Sequence, residues 1–316
     1  MRTLFYGTPA SAVPFLELLA RKTEVVGVLS SPDRPAGRSL KTVPTPVKAR
    51  GLELGVPVLQ PAQPGAAAAR LRELKPDLAV AVAYGKILPP EVLAVPILGS
   101  LNVHFSLLPK HRGAAPVQWS LVRGESNTGV TVFWIEAELD AGPVFLQREL
   151  AVGPDEDAGG LCARLGGLGL QALGQVLDEL AAGRMRREPQ TGEPSFAPRL
   201  RREDARILFA RPAPEIHNLV RGLRQWPTAY LELKPPVHRL VQVLKTRLPG
   251  PAEPSASGPG PGSIVRVERG GGILVQCQDC SSLWLLTVQP EGKKPVAAAD
   301  FLNGLRLGAG DCLPWA

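Results

Sequence analysis

The sequence predicts an α/β protein with two domains: an N-terminal domain built on a parallel sheet, then a linker and a smaller C-terminal β-barrel. Three observations lead to this prediction. Apolar runs alternate with helical spacings in the first half of the chain, an Arg- and Pro-rich segment follows a long helical stretch, and short strands with Gly and Pro turns fill the last third. The length of 316 residues suits about two domains.

Strands and helices alternate in the first half of the chain. Apolar runs that end at Gly, Pro or polar residues predict the strands Thr3–Tyr6, Glu24–Ser30, Pro57–Gln60, Asp77–Tyr84 and Leu98–His104. Apolar residues at helical spacing predict helices over Ser11–Arg21 and Ala66–Leu74. Residues 31–50 are rich in Pro, Gly and cations and are predicted to be a long exposed loop. The continuous Val, Ala and Leu runs are typical of a parallel sheet with helices on both faces.

A hairpin and a long helix complete the predicted N-terminal domain. The strands Thr128–Glu136 and Pro143–Leu150 are separated by a short connection, which is consistent with a hairpin. Apolar side chains at steps of three and four predict a helix over Gly159–Gly183. The basic, Pro-rich segment that follows is predicted to be a linker.

Beyond the linker a helix is predicted over Pro214–Leu223, and short strands then dominate. The predicted strands are Ala229–Leu233, Val237–Lys245, Ser263–Val267, Gly272–Cys277 and Leu283–Val288. Short strands of this kind, with Gly and Pro turns, predict a small barrel. The predicted boundaries are 1–188 for the first domain, 189–206 for the linker and 207–316 for the second domain.

The composition is that of a globular protein, with 44% apolar and 21% charged residues. We find no apolar run long enough to span a bilayer and no signal-peptide layout at the start, so we expect a cytoplasmic protein. A net charge of +7 fits either an anionic macromolecular partner or a surface that is positive for solubility. Cys277 and Cys280 have the spacing of half a zinc site, but no second pair follows, so free thiols are predicted.

Asn102 and His104 are the first candidates for chemistry. Two residues apart on a strand, they share a face, and at the C-terminal end of a parallel strand they would project into the crevice where ligands bind. An amide beside an imidazole can hold a carbonyl oxygen and relay a proton. Asp140 lies in a tight loop, where it is either a turn former or a group that orients a histidine or acts as a base. Each of the three, taken alone, is more often structural.

Four motifs follow one another around these residues. They are NVHFSLLP at 102–109, HRGAAP at 111–116, TGVT at 128–131 and LDAG at 139–142. In this order they resemble the 10-formyltetrahydrofolate-dependent formyltransferases. The spacing of N-x-H, SLLP and LDxG over about forty positions is specific, unlike any one motif alone.

Within that superfamily the chain is most similar to the methionyl-tRNA formyltransferases, and the similarity runs from end to end. The segments that carry it are FYGTP at 5–9, PDRPAGR at 32–38, VAYGKILP at 82–89, ARI at 205–207, WP at 226–227 and LTVQPEGKK at 286–294. The resemblance implies a Rossmann-like N-terminal domain and an OB-like C-terminal barrel that holds the tRNA.

The resemblance also implies roles for individual residues. It assigns catalysis to Asn102, His104 and Asp140. It assigns contacts with the folate to Ser106, Leu107, Leu108 and Pro109, and to Tyr84, Gly85, Lys86, Ile87 and Leu88. It assigns contacts with the tRNA to Arg34, Arg38 and Lys41. Phe105 and His111 depart from the family pattern, and Ser39 and Leu40 make the basic loop less basic than in the family.

The implied reaction moves the formyl group of 10-formyltetrahydrofolate to the α-amino group of methionyl initiator tRNA, with no metal and no nucleotide. Asn102 and His104 would stabilise the oxyanion, and Asp140 would keep His104 charged and oriented and accept the amine proton through a water. The partners expected are formyl-folate and the initiator tRNA, with no membrane, and the chain is expected to act as a monomer.

Two other classes of function stay open at this point. The first is formyl transfer to another acceptor: a small amine, such as an amino-sugar nucleotide or a ribonucleotide amine, or water. A chain that binds RNA on a catalytically dead scaffold is the other possibility, and the presence of all three catalytic residue types argues against it. An NAD-dependent dehydrogenase is not predicted, because the turn Gly7–Pro9 lacks the G-x-G-x-x-G pattern.

Overall fold

The computed structural model describes residues 1–36, 41–234, 239–251, 253 and 258–314. The chain divides by its internal contacts into two compact units. Unit 1 comprises Met1–Pro116, Asn127–Ala151 and Ala163–Pro198. Unit 2 comprises Val117–Ser126, Val152–Cys162 and Arg199–Ala316.

Unit 1 contains eleven strands among its described residues. In chain order they are β1 (Arg2–Gly7), β2 (Glu24–Leu29), β3 (Arg34–Ala36), β4 (Lys41–Val43), β5 (Val58–Leu59), β6 (Leu78–Val82), β7 (Gly99–His104), β8 (Arg112–Gly113), β9 (Asn127–Trp134), β10 (Val144–Ala151) and β11 (Phe196–Ala197). Seven of them form one sheet in the order β10-β9-β7-β6-β1-β2-β5. The five strands from β5 to β7 in this order pair in parallel, and β9 and β10 pair antiparallel.

Eight α-helices accompany the strands in the described part of the chain. They are α1 (Val13–Lys22), α2 (Pro46–Glu53), α3 (Ala68–Glu73), α4 (Pro90–Leu93), α5 (Pro116–Val122), α6 (Ala158–Ala181), α7 (Ala213–Gly222) and α8 (Ala298–Leu305). Short 3-10 helices cover Ala10–Ala12, Pro64–Ala67, Glu203–Ala205 and Gln278–Cys280. No described helix combines the length and the apolar character needed to cross a membrane.

The strand order of unit 1 indicates where the ligand crevice lies. The chain runs from β1 to β2 and β5 on one side and then to β6 and β7 on the other, so the order reverses beside β1. Ligands of open α/β sheets bind at this reversal, beyond the C-terminal ends of the strands. Three segments follow such ends here: residues 8–9 after β1, residues 83–88 after β6 and residues 105–109 after β7. The predicted parallel-sheet domain is confirmed.

The prediction of a long loop over residues 31–50 is wrong in part. The ribbon β3–β4 pairs Arg34 with Val43, and helix α2 begins at Pro46. Thr45 caps this helix, since its hydroxyl accepts a hydrogen bond from the backbone N–H of Lys48. Proline at the first helical position is favourable, so the Pro-rich composition concealed a helix start.

Unit 2 carries the remaining strands, β12 (Tyr230–Leu233), β13 (Arg239–Arg247), β14 (Ile264–Glu268), β15 (Gly272–Gln276), β16 (Ser282–Pro290) and β17 (Val296–Ala297). They form an antiparallel sheet in the order β12-β13-β16-β15-β14, with β17 paired to β16. The C-terminal β domain is therefore confirmed as antiparallel, while its OB-like closure stays a prediction. Helices α4, α5 and α8 were not predicted from the sequence.

The segment predicted as a linker makes ordered contacts with unit 1. Phe196 and Ala197 pair in parallel with Arg112 and Gly113. The division between the two units falls after Pro198, inside the segment predicted to be a linker. The predicted boundaries at 188 and 206 stay predictions.

Candidate functional site

Asn102 and His104 lie on one face at the C-terminal end of β7. Asn102 pairs with Ala81 of β6 and Phe133 of β9, so the strand that carries it is held from both sides. The Asn102 side chain is half-buried, and His104 is buried at 6% exposure. The Phe133 ring meets the imidazole edge-on, with the two ring centres 6.3 Å apart.

The two ring nitrogens of His104 have different partners. Nε2 lies 2.9 Å from the carbonyl oxygen of His111, and Nδ1 lies 3.8 Å from Oδ2 of Asp140. Because a carbonyl oxygen can only accept, Nε2 carries a proton and donates it. The distance of 3.8 Å suits an attraction between charges but is too long for a hydrogen bond. His104 therefore presents its Nδ1 edge to the Asp140 carboxylate.

The turn that holds Asp140 is fixed by hydrogen bonds from two sides. The Asp140 backbone has a φ of +51°, the left-handed region that Asp tolerates better than most residues. Its Oδ2 accepts a hydrogen bond of 2.8 Å from the backbone N–H of Gly113. The Gln190 side chain donates to the carbonyl oxygens of Asp140 and Gly142, at 2.8 and 2.9 Å. The structure thus places Asp140 beside His104, which shares its strand face with Asn102, while the catalytic roles of the three residues stay predictions.

Side chains of β9 and β10 hold the backbone of the predicted folate segment 106–109 by hydrogen bonds. The Thr131 hydroxyl accepts from the backbone N–H of Leu108 at 3.1 Å and donates to the carbonyl of Ser106 at 2.7 Å. Gln147 donates to the Leu108 carbonyl at 2.7 Å. Ser106, Leu108 and Pro109 are buried, and Leu107 is half-buried. Leu107 is therefore the side chain of this segment with the most exposed surface.

The other predicted folate segment, residues 84–88, follows the adjacent strand β6. The Tyr84 carbonyl accepts a hydrogen bond of 3.0 Å from the Thr8 hydroxyl, which joins this segment to the turn after β1. Tyr84 itself is buried, and burial raises its pKa to about 12. Lys86 donates to the carbonyls of Pro61 and Ala62. Ile87 is 81% exposed, and Gly85 has a positive φ of 80° with open space around it.

Two of the three residues predicted to contact the tRNA lie on the β3–β4 ribbon. Arg34 is exposed in β3, and Lys41 begins β4. Arg38 lies outside the described residues. The base of the ribbon is anchored by Asp33, which receives hydrogen bonds from Gln60 at 2.6 Å and Lys48 at 2.5 Å. These hydrogen bonds, that of Gln60 above all, hold the pKa of the Asp33 carboxyl below its usual range.

Two residues of the site, Gln190 and Ser195, were not predicted because they are distant in sequence from the motifs they support. Gln190 and Ser195 come from the predicted linker, and Ser195 Oγ accepts from the backbone N–H of His111 at 2.9 Å. Arg112 donates to Gln190 Oε1 and pairs with Glu138 at 3.1 Å. No local pattern marks such contacts. The sequence offered one clue, the R-G pair at 112–113 within the HRGAAP motif.

The cysteines and acidic groups show no metal centre. Among the residues that the structure describes, no group of three His, Cys, Asp or Glu side chains is placed to hold a metal ion. Cys162, Cys277, Cys280 and Cys312 are free thiols. Burial raises the pKa of the Cys277 thiol to about 12, so it is a buried apolar group rather than a reactive thiolate.

Comparison with known families matches both halves of the chain. A model of the family "Formyl transferase" matches residues 6–177, and a model of "Formyl transferase, C-terminal domain" matches residues 199–306. A methionyl-tRNA formyltransferase of Geobacter metallireducens is 42% identical over 97% of this chain and 96% of its own length. A methionyl-tRNA formyltransferase of Elusimicrobium minutum is 40% identical over 99% of both chains.

Solved structures share the fold at lower identity. HypX from Aquifex aeolicus in complex with tetrahydrofolic acid aligns with a TM-score of 0.64 at 18% identity, over 98% of this chain and 48% of its own. WlaRD, a sugar 3N-formyl transferase, aligns with a TM-score of 0.67 at 17% identity, over 93% of this chain and 99% of its own. With two family models and relatives at about 40% identity in agreement, as the motifs predicted, the chain belongs to the formyl transferase family and is a formyl-transferring enzyme.

Proposed function

We propose that the chain transfers the formyl group of 10-formyltetrahydrofolate to the α-amino group of methionyl initiator tRNA. One observation supports the proposed chemistry. Nδ1 of the buried His104 faces the Asp140 carboxylate, and His104 shares its strand face with Asn102. The relatives of about 40% identity, which are named methionyl-tRNA formyltransferases, support the acceptor.

The proposed reaction forms one bond to the formyl carbon and breaks another. The neutral amine attacks the formyl carbon and gives a tetrahedral intermediate with a negative oxygen. The Asn102 amide N–H and Nδ1–H of His104, as imidazolium, stabilise this oxygen, and one such donor is worth roughly 3–4 kcal/mol. The bond to N10 of the folate then breaks. The amine loses a proton, and N10 gains one.

Asp140 has two tasks in this scheme. Its charge orients His104 and offsets positive charge on the imidazole, across the 3.8 Å between Oδ2 and Nδ1. Its carboxylate also accepts the amine proton through a water. The hydrogen bond from Gly113 fixes Oδ2 for both tasks, because a carboxylate held in place needs no rearrangement during the reaction.

The folate is proposed to bind along the two segments that follow β6 and β7. Residues 84–88 supply the exposed Ile87 and the open backbone at Gly85, and residues 106–109 supply Leu107. Thr131 and Gln147 hold the second segment rigid, so the pocket wall is formed before the folate arrives. A preformed wall reduces the ordering cost of binding.

The tRNA is proposed to contact Arg34 and Lys41 of the basic β3–β4 ribbon and also Arg38. The C-terminal domain, with its predicted boundaries and OB-like fold, is proposed to hold the remainder. A net charge of +7 favours a polyanion. The chain is proposed to act as a monomer in the cytoplasm, where initiator tRNA is used. Mass measurement in solution of the purified protein, alone and with tRNA, tests the oligomeric part.

The experiment that tests the acceptor offers two amines to one enzyme. Purified protein is incubated with 10-formyltetrahydrofolate and either methionyl initiator tRNA or an amino-sugar nucleotide, and the formylated product is measured. We expect formyl-methionyl-tRNA and no formylated sugar. Formylation of the sugar alone would contradict the proposed acceptor, and no formylation of either amine would contradict the proposed chemistry.

A further inference from the structure

Gln190 joins the Asp140 turn to Arg112 of β8. Its Nε2 donates to the carbonyls of Asp140 and Gly142, and its Oε1 accepts from the Arg112 guanidinium at 2.8 Å from Nη2 and 3.3 Å from Nε. Both hydrogens of the amide and its oxygen are thus engaged. The amide has only one possible orientation, because carbonyls only accept and a guanidinium only donates.

The turn that Gln190 braces is strained and closely packed. Asp140 has a left-handed backbone, which costs free energy in a residue with a side chain. Gly142 lies so close to β9 that a Cβ atom there would be 1.9 Å from the Trp134 carbonyl. A strained turn persists only where its surroundings hold it, and here two of its carbonyls are held by one side chain.

The same side chain also connects the turn to the strand that holds the Asp140 carboxylate. Arg112 precedes Gly113, whose N–H donates to Asp140 Oδ2. The backbone N–H of Arg112 donates to the Ser195 carbonyl at 2.8 Å, so β8 is fixed to the segment that carries Gln190. Gln190 therefore braces the Asp140 turn at its carbonyls while Gly113 holds it at its carboxylate.

We propose that Gln190 is a positioning residue for formyl transfer: its amide holds the Asp140 turn against Arg112, so that the Asp140 carboxylate faces His104. This proposal rests on the catalytic role proposed for Asp140. The hydrogen bonds described for Gln190 reach the Asp140 turn and Arg112. Gln190 acts through the position of the carboxylate, and displacement by as little as 1 Å can reduce catalysis by about 10²-fold.

Two variants test the acceptor oxygen and the donor NH2 group of the Gln190 amide separately. Gln190→Met keeps the length of the side chain and removes all of its hydrogen bonds. Gln190→Glu keeps an acceptor for Arg112 and removes the donors to the Asp140 and Gly142 carbonyls. Gln171→Met, at an exposed position of α6, is the matched control. Steady-state kcat, KM for both substrates and the thermal midpoint are measured for each.

We expect kcat to fall about 10- to 100-fold in both Gln190 variants, with each KM within about twofold of wild type. The Gln171→Met control keeps the wild-type values. A wild-type kcat in Gln190→Met would overturn the proposal. A wild-type kcat in Gln190→Glu would also overturn it, because the contact with Arg112 would then be sufficient.

A double-mutant cycle with Asp140→Asn tests whether Gln190 acts through Asp140. If it does, Gln190→Met lowers the residual kcat of Asp140→Asn by less than about threefold. A full additional loss in the double variant would overturn the proposal. An Asp140→Asn variant with normal turnover would instead contradict the proposed function, so the two failures are distinguishable.

Discussion

His104 of unit 1 and His217 of unit 2 are both buried, and they have one kind of contact in common and differ in the other. His104 of β7 and His217 of α7 each place Nε2 near a backbone carbonyl, that of His111 at 2.9 Å and that of Pro154 at 3.4 Å. Nδ1 of His104 faces Asp140, whose side chain is 10% exposed. Nδ1 of His217 lies 2.9 Å from the Thr246 hydroxyl.

The partner of Nδ1 determines what each histidine can do. The Thr246 hydroxyl can donate to Nδ1 of a neutral His217, so the neutral ring satisfies both of its nitrogens inside unit 2. Burial lowers the pKa of His217, although the Asp155 carboxylate, 77% exposed at 3.4 Å, opposes this. His104 has no such closed arrangement, because its Nδ1 edge faces a carboxylate beyond hydrogen-bond length. The first histidine suits catalysis and the second suits stability.

The largest expected effect separates the two histidines by activity. We expect His104→Asn to lower kcat by about 10³-fold or more, because it removes a group that stabilises the oxyanion and relays a proton. We expect His217→Asn to leave kcat unchanged at a temperature where the variant is folded. Equal losses of kcat in the two variants would abolish the distinction drawn between them.

The next effect concerns the neighbour of His104 on the same strand face. Asn102→Ala removes the second proposed donor to the oxyanion, so kcat should fall about 10²- to 10³-fold. The exposed Asn303→Ala on α8 serves as the control and should retain full activity. A wild-type kcat in Asn102→Ala would mean that the formyl oxygen is held elsewhere.

A smaller effect concerns stability and appears at His217. His217→Phe leaves the buried Thr246 hydroxyl without its partner, and we expect a loss of about 1–3 kcal/mol in the free energy of unfolding. The pKa of His217 is lower in the folded protein than in the unfolded chain, where a histidine has a pKa of about 6.5. The neutral form of His217 therefore stabilises the wild type above about pH 6.5. That contribution is lost as the pH falls towards the lowered native value. Denaturant unfolding at several pH values should show a shallower pH dependence in His217→Phe, and an unchanged dependence would refute this account.

The smallest effect belongs to the basic ribbon. Arg34 is exposed, so Arg34→Ala should raise KM for the tRNA only a few-fold, leave KM for the folate unchanged and reduce the salt dependence of tRNA binding by about one unit of slope. Binding titrations at several salt concentrations measure this. A salt dependence equal to that of wild type would remove Arg34 from the tRNA surface.

The sequence was sufficient for the features that local pattern encodes. Apolar runs located β6 and β7, and N-x-H placed Asn102 and His104 on one face, because alternation along a strand is a local property. The contacts of Gln190 with Asp140 and of Ser195 with His111 join residues 50 and 84 positions apart. They depend on how the chain returns to β8, which no short window contains. Helix α8 was missed although its Ala298, Ala299 and Leu302 form one buried face.

The most direct test of the central claim replaces Asp140 by Asn, which keeps the shape of the side chain and removes its charge. Single-turnover formylation of methionyl initiator tRNA is measured with saturating enzyme and 10-formyltetrahydrofolate, together with the thermal midpoint and tRNA binding. We expect the rate to fall by about 10³-fold or more, with folding and tRNA binding intact. A near-normal rate in Asp140→Asn would contradict the assignment of this site as the centre of formyl transfer.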